Sequence, residues 1–308
     1  VGKEAILNIS TLRWANQVSR PSPSTAHADR EGGLLRWHCE RTPTFSSVDS
    51  TRAAAVPLAS LPAHRAQLFE PTWNREYIES VQIIFKEDFG LGGRGGYFDS
   101  FGIIRDMMQN QLLQVLLWIT MEPPEDMSAA RIIDAKVELL RCIGTLHYHP
   151  KDCFLGQFGP SATQPGYLDD DTVPQDSRCP TFASLLLQVD NTRWRGVPFL
   201  MTAGKGLDER LCEVRIRYKQ KPHNKLVAAM SGRRLSSNEL VLRIQPGEAL
   251  YMTFMSKEPS LNTMAMPPGL KWVPKPTVMD MSYAEQFDNA YVGDAYERMF
   301  LNAALGDQ

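Results

Sequence analysis

The sequence predicts an α+β protein built on a large, mainly antiparallel sheet flanked by helices. Three observations predict it. Segments of helical period come first and segments of strand period follow, which favours segregated helices and strands over alternating β-α-β units. The later segments alternate apolar and polar residues, as a sheet covered on one face does. Hydrophobic residues make up 43% of the 308 positions and charged residues 22%, so a sizeable core can be buried.

Residues 1–17 carry Ile6, Ile9 and Trp14 at roughly three-to-four spacing and read as a helix that begins abruptly. From Val18 to Gln67 the composition turns to Ser, Ala, Pro and Arg and the periodicity fades, so 18–67 reads as a low-complexity insertion. Packed-domain texture starts at Leu68. Val81–Phe85 reads as a strand, Gly90–Gly96 as a glycine loop, and about Phe98–Met121 as one long helix. Its apolar stripe is Phe101, Ile104, Met108, Leu112, Val115 and Ile119; Asp99 can cap its start and Pro123-Pro124 ends it. A second helix, about Ala129–Cys142, has Ile132, Ile133, Val137, Leu139 and Leu140 as its apolar face. After a turn-rich stretch at about Pro160–Pro180 come strands at Phe182–Val189, Pro198–Ala203, Glu213–Tyr218, Leu240–Ile244 and Leu250–Met255. A last helix is expected at Asp294–Leu305.

The bulk numbers exclude several classes. Lys and Arg number 33 against 35 Asp and Glu, a balance that gives no broad nucleic-acid footprint. No stretch approaches the ~20 apolar residues that span a bilayer. The five cysteines are widely spaced with no C-x-x-C, which fits incidental thiols in a reducing compartment. His147, His149 and Cys153 match no common metal-ligand spacing, so no metal is expected. Gly90-Leu-Gly92-Gly-Arg-Gly95 fits G-x-G-x-x-G, but a second helix rather than a strand follows, and Glu87 and Asp88 would repel a pyrophosphate. A tight turn that shapes the wall of a site is the better reading.

The runs GRGGYFDSFGIIRDMMQN (Gly93–Asn110), PGYLDDDTVP (Pro165–Pro174), RWRGVPFLMTAGKGLDER (Arg193–Arg210), NELVLRIQPGEALY (Asn238–Tyr251) and DAYERMFLNAALGDQ (Asp294–Gln308) follow one another in a recognisable order. Together they resemble the glucose-6-phosphate dehydrogenase family over residues 1–17 and 68–308. The resemblance implies that 68–308 is the family's carboxy-terminal domain and 1–17 a helix remnant from the junction before it. The family's amino-terminal Rossmann domain is then missing. It implies NADP-dependent oxidation of glucose 6-phosphate to 6-phosphogluconolactone, the first step of the pentose phosphate pathway. A dimer through the sheet, homomeric or heteromeric, and a cytoplasmic location, with a plastid one open, also follow. No membrane or nucleic-acid partner is implied.

Carried across residue by residue, the resemblance assigns substrate contacts to Lys3, Glu87, Asp106, Lys205, Arg210 and Gln245. It assigns a second, structural NADP to Arg215, Arg243, Tyr251 and Asp280. Thr202, Leu211 and Thr253 stand where the family often has basic residues, so that site is eroded. The largest departure is MQNQ (Met108–Gln111) where the family has MQNH. Gln111 can hydrogen-bond a sugar hydroxyl but cannot take its proton, and such assistance is typically worth about 10²–10⁴ in rate. The Asp-His-Tyr expected just before Val1 is absent as well. Two readings stay open: a fragment of the enzyme, inactive as it stands, and a non-catalytic paralogue that serves as a dimerisation subunit. Without the resemblance, Lys205 and Arg210 read as solvated loop charges and Asp106 as a polar-face residue of its helix.

The insertion has its own reading. Val18-Ser19 can be encoded by GTGAGT, a splice-donor sequence, and Gln67 by CAG, an acceptor, so 18–67 reads as a retained in-frame intron. Transcript sequencing across the junction is expected to yield reads that join Gln17 directly to Leu68; their absence sinks the intron.

Overall fold

A computed structural model describes residues 34–35, 68–144, 146–147, 152–162, 164–220, 236–257, 274–286, 300–301 and 303–305. The helix expected over 1–17, Lys3 and nearly all of 18–67 lie outside the described residues. Of the closing helix expected at Asp294–Leu305, residues 300–301 and 303–305 are described and are helical.

Ten strands are present among the described residues: β1 (Leu34–Leu35), β2 (Ile78–Lys86), β3 (Leu146–His147), β4 (Cys153–Gly156), β5 (Phe182–Gln188), β6 (Pro198–Gly204), β7 (Leu211–Tyr218), β8 (Glu239–Gln245), β9 (Ala249–Lys257) and β10 (Pro274–Ser282). β1 and β3 form a small antiparallel ribbon. The other eight make one sheet in the order β10-β9-β8-β7-β2-β6-β5-β4. Every neighbour pair in it is antiparallel except β2 and β6, which run parallel. The α+β expectation holds, with that one parallel pair at the centre.

Cross-strand partners share a face, so the register sorts the side chains. One face carries Val81, Ile83 and Phe85 of β2, Phe199, Met201 and Ala203 of β6, Val214 and Ile216 of β7, and Leu240, Leu242 and Ile244 of β8; all are buried. The opposite face carries Gln82 and Ile84, Leu200 and Thr202, Glu213, Arg215 and Arg217, and Arg243. Helices α1 (Gly95–Ile103), α2 (Leu113–Thr120) and α3 (Ala129–Cys142) lie among the intervening segments. Met107, Met108, Leu112, Leu116 and Leu117 join the apolar face in one core. The fourth helix, α4 (Tyr283–Gln286), is short and follows β10 directly.

The long helix expected over Phe98–Met121 is not continuous. Gly102 sits inside it at φ 69° and ψ 167°, a conformation open to glycine and strained for other residues. The amide of Ile103 donates instead to Pro180 O, at 3.0 Å. Residues Ile104–Leu112 then form a π-helix before α2 resumes the α geometry. The break rotates the early positions away from the stripe, and Phe101, expected in the core, is 44% exposed. Asp99 does not cap the helix, since Arg94 holds that position. The Asp99 carboxylate accepts hydrogen bonds from the Tyr167 hydroxyl at 2.7 Å and from Ser177 Oγ. In α3, Leu139 is buried but Ile133 is 58% exposed, so its contact face is narrower than expected. Strands β1, β3, β4 and β10 are not among the expected ones, and β1 falls inside the stretch read as an insertion.

The far end of α2 is closed in an unusual way. Its last carbonyls have no intrahelical donors. Trp73 Nε1 donates to Ile119 O and Trp194 Nε1 to Thr120 O, each at 2.8 Å, and both indoles are fully buried. Arg193 fastens the same corner: it bonds Glu122 through two nitrogens, Trp73 O at 3.0 Å, and Glu70 at 2.8 Å. Trp73→Phe and Trp194→Phe each strand a buried carbonyl. Each is expected to lower stability by about 1–3 kcal/mol, measured as a drop in the urea midpoint without a change in slope.

Candidate functional site

The topology gathers four of the assigned substrate residues at one end of the sheet. Glu87 directly follows β2. Because β6 runs parallel to β2, Lys205 follows β6 at the same end. Because β7 is antiparallel to β2, Arg210 precedes its first residue, Leu211, which pairs with Lys86. Gln245 closes β8 opposite Cys212, one residue into β7. The connection from β6 to β7 is stitched down by Lys205 N to Thr181 O (3.0 Å), Gly206 N to Phe89 O (3.0 Å) and Leu207 N to Glu87 O (2.8 Å).

Lys205 is the hub. Its ammonium bonds the Glu87 carboxylate, and both side chains are largely buried at 12% and 17% exposure. Asp106 Oδ2 lies 4.0 Å from the same nitrogen. That gap is too long for a direct hydrogen bond, and a hydroxyl beside it can accept from Lys205 while donating to Asp106. The ring of Phe98 lies beneath, its centroid 5.5 Å from Nζ. Lys86 is pinned separately to Asp208 at 3.1 Å and Glu209 at 3.0 Å. Arg210 is exposed and makes no ion pair among the described residues.

Asp106 and Gln111 both stand on the π-helix, which packs against β6. In this winding Leu113 N bonds Met108 O, five residues back. The wider turn brings residues five apart closer to one side than an α-helix does, and π turns recur at functional sites. Gln111 Oε1 is buried and has no hydrogen-bond partner among the described residues. A buried acceptor without a donor is costly and is receptive to a ligand hydroxyl or a water.

The glycine loop ends in the amino terminus of α1, where anions often bind. Here the chain fills that position itself. The Asp170 carboxylate takes hydrogen bonds from Thr172 and from the Gly95 amide, and the Gly96 amide donates to Thr172 Oγ1 at 2.9 Å. A Cβ on Gly95 would sit 2.5 Å from Val173 and 2.7 Å from the Asp170 carboxyl, which is why glycine stands there. The G-x-G-x-x-G run is therefore a structural turn with an internal anion.

The glucose-6-phosphate dehydrogenase C-terminal domain profile matches residues 64–308. The chain belongs to the glucose-6-phosphate dehydrogenase family. A relative from Dictyostelium discoideum, glucose-6-phosphate 1-dehydrogenase, is 48% identical over 242 residues, covering 78% of this chain and 46% of that protein. The cytoplasmic glucose-6-phosphate 1-dehydrogenase 6 of Arabidopsis thaliana is 43% identical over 242 residues, 79% of this chain and 43% of that one. A solved glucose-6-phosphate dehydrogenase in complex with glucose-6-phosphate matches with TM-score 0.71 at 40% identity, over 83% of this chain and 50% of its own. A Mycobacterium avium structure of the same name gives 0.68 at 29% identity, over 84% and 51%. The chain spans about half the length of the curated relatives it matches.

On the open face, Glu213 is fully buried and draws in the residues that the family resemblance gave to a second NADP. Arg215 Nε lies 2.5 Å from it, Arg243 3.7 Å and the Tyr251 hydroxyl 3.4 Å. Arg215 also meets Glu239 at 3.4 Å, as Arg217 does at 3.8 Å. Asp280 pairs with Tyr251 across β9 and β10. Burial opposes the charge on Arg215, but the Glu213 and Glu239 carboxylates outweigh it and hold its pKa above the ordinary value. Two carboxylates, Glu213 and Glu239, thus engage the three guanidiniums of Arg215, Arg217 and Arg243. Thr202 is bonded to Ser184 at 3.0 Å and Leu211 is buried.

Sequence reasoning missed Glu213, Phe98 and Asp170. A glutamate between strand apolars reads as a solvent position, a phenylalanine in a first turn as core, and an aspartate in LDDDT as loop. The thiols Cys153 and Cys179 are pushed by burial up to about 11, and Cys212 to about 12, so at neutral pH they are protonated and weak nucleophiles. Among the described residues no cluster of three or more metal-ligating side chains occurs, and no helix is long and apolar enough to cross a membrane. The Thr172 and Gly95 hydrogen bonds hold the Asp170 carboxyl below its usual range of 3.8. Its contribution to stability is present above that value and is lost as pH falls through the lowered folded pKa. Asp170→Asn is therefore expected to be less stable at neutral pH and to lose part of its acid sensitivity below about pH 4, read from urea midpoints across pH.

Proposed function

We infer that this chain is the substrate-sheet domain of a glucose-6-phosphate dehydrogenase, binding a phosphorylated hexose without oxidising it. The observation that carries the reading is Gln111: its buried, unpartnered oxygen stands where the family has its general-base histidine. An amide accepts a hydrogen bond from the sugar hydroxyl and leaves the proton in place. Glu87, Asp106 and Lys205 supply the acceptors and donor for neighbouring hydroxyls, and Arg210 and Gln245 extend the site along the strand ends. Lys3, assigned to the same substrate, lies outside the described residues. In the intact family protein a separate nucleotide-binding domain brings the NADP that accepts hydride, in the cytoplasm, as the first step of the pentose phosphate pathway. The second NADP is weakly held or lost in this chain; the pairing of Arg215 and Arg243 with the buried Glu213 supports that.

A second reading, a non-catalytic dimerisation subunit, draws support from the open sheet face. Ile84, Leu186 and Leu200 stand there half-buried beside the arginine–carboxylate cluster, a surface suited to a second sheet of the same kind, in a homodimer or a heterodimer. The two readings are compatible, and one comparison separates them from an active enzyme. With residues 68–308 joined to the family's nucleotide-binding domain, Gln111→His is expected to form NADPH about 10²–10⁴ faster than the unsubstituted chain. Equal, brisk rates for both overturn the inactive reading. Glucose 6-phosphate titrated calorimetrically onto the chain as it stands is expected to bind, and Lys205→Ala to weaken binding roughly tenfold or more, the scale of a charge-assisted contact.

A further inference from the structure

We propose that Phe98 is a positioning residue for Lys205, holding its ammonium by the ring face so that it can serve a ligand oxygen as well as Glu87. The proposal rests on the hexose-phosphate reading for what the ligand is, but the geometry stands by itself. Lys205 is nearly buried and has one close carboxylate, Glu87. Asp106 Oδ2 lies 4.0 Å from the same ammonium nitrogen. An ammonium has three donors, and a buried one needs more than a single partner. The Phe98 ring, 5.5 Å from Nζ, is within cation–π range and offers negative charge without consuming a donor.

The ring is held still for this task. Phe98 is buried and meets Tyr167 edge-to-face at 6.2 Å and 74°; Tyr167 meets Phe158 in the same way at 5.8 Å and 80°. The Tyr167 hydroxyl is tied to Asp99, one residue after Phe98, so the aromatic row is anchored at both backbone and ring. Phe158 in turn lies against Gly206, the residue after Lys205. The row thus locates the lysine backbone from one side and its charged tip from the other. A carboxylate in place of the ring would tie up a second N–H, and an aliphatic side chain would leave the charge without that support.

The test uses the full chain with glucose 6-phosphate as probe, comparing wild type, Lys205→Ala, Phe98→Leu, Phe98→Trp and a series with stepwise fluorinated phenylalanine at position 98. Fluorine keeps the ring's shape and drains its face of charge. Affinity is expected to fall progressively along the series, roughly two- to fivefold by the trifluoro ring, and roughly three- to tenfold in Phe98→Leu, with recovery in Phe98→Trp. The Lys205 side-chain NMR signals are expected upfield in wild type, retained on fluorination and lost in Phe98→Leu. Loss of affinity in Phe98→Leu with no response to fluorination overturns the proposal and leaves Phe98 as packing only. If wild type binds no glucose 6-phosphate, the hexose-phosphate reading falls, and the Lys205 signals decide the positioning claim: absence of the upfield shift overturns it.

Discussion

Strand β2 pairs parallel with β6 on one side and antiparallel with β7 on the other, and the rest of the site depends on that mixed pairing. A purely antiparallel insertion of β2 would send the ends of β2 and β6 in opposite directions and separate Glu87 from Lys205. The parallel pair needs a long crossover, and the chain supplies one in the segment that holds α1, the π-helix, α2 and α3. The same segment that satisfies the topology therefore also carries Asp106 and Gln111 over the strand ends. One constraint of backbone hydrogen bonding places both halves of the site.

Charge is handled in the same manner at two places on the sheet. Lys205 is buried against Glu87, and Glu213 is buried beneath Arg215 and Arg243. Taking an ion out of water is tolerable only with a partner. The difference lies in what remains over. At Lys205 the nearby Asp106 and the orphaned Gln111 oxygen leave donors and acceptors unmatched, which suits a polyhydroxylated ligand. Around Glu213 the carboxylate is shared by arginines of β7 and β8 and the Tyr251 hydroxyl of β9, and the cluster reads as a structural cross-brace between those strands.

Much of the sheet was legible because its strands alternate. Val214, Ile216 and Leu242 face the core while Arg215, Arg217 and Arg243 face away, as the period of two requires. β10 escaped because Pro274 and Pro276 argue against a strand; among the described residues it pairs only with β9, and an edge tolerates proline. β4, at four residues, is too short to show a period. The residues assigned to the substrate were legible only through resemblance, since composition and spacing alone left Lys205 and Asp106 as ordinary surface charges. Their true relation comes from contacts distant in sequence, Glu87 with Lys205 above all. The π-helix was invisible because its apolar residues fit an α period nearly as well, and only the exposed Phe101 and the turned Gly102 betray the change.

The path from α1 to the end of α2 is tied at both extremities. Asp170 and Thr172 grip its first amides, and two indoles grip its last carbonyls. With neither end free to slide, the number of residues between them is fixed, and the π-helix is how the surplus is stored. Deleting a single residue between Asp106 and Gln111 would relax the winding to an ordinary α turn and swing one of the two out of register with the sheet end. Lineages of this fold should thus tolerate exchange of side chains in the stretch far more readily than any change in its length.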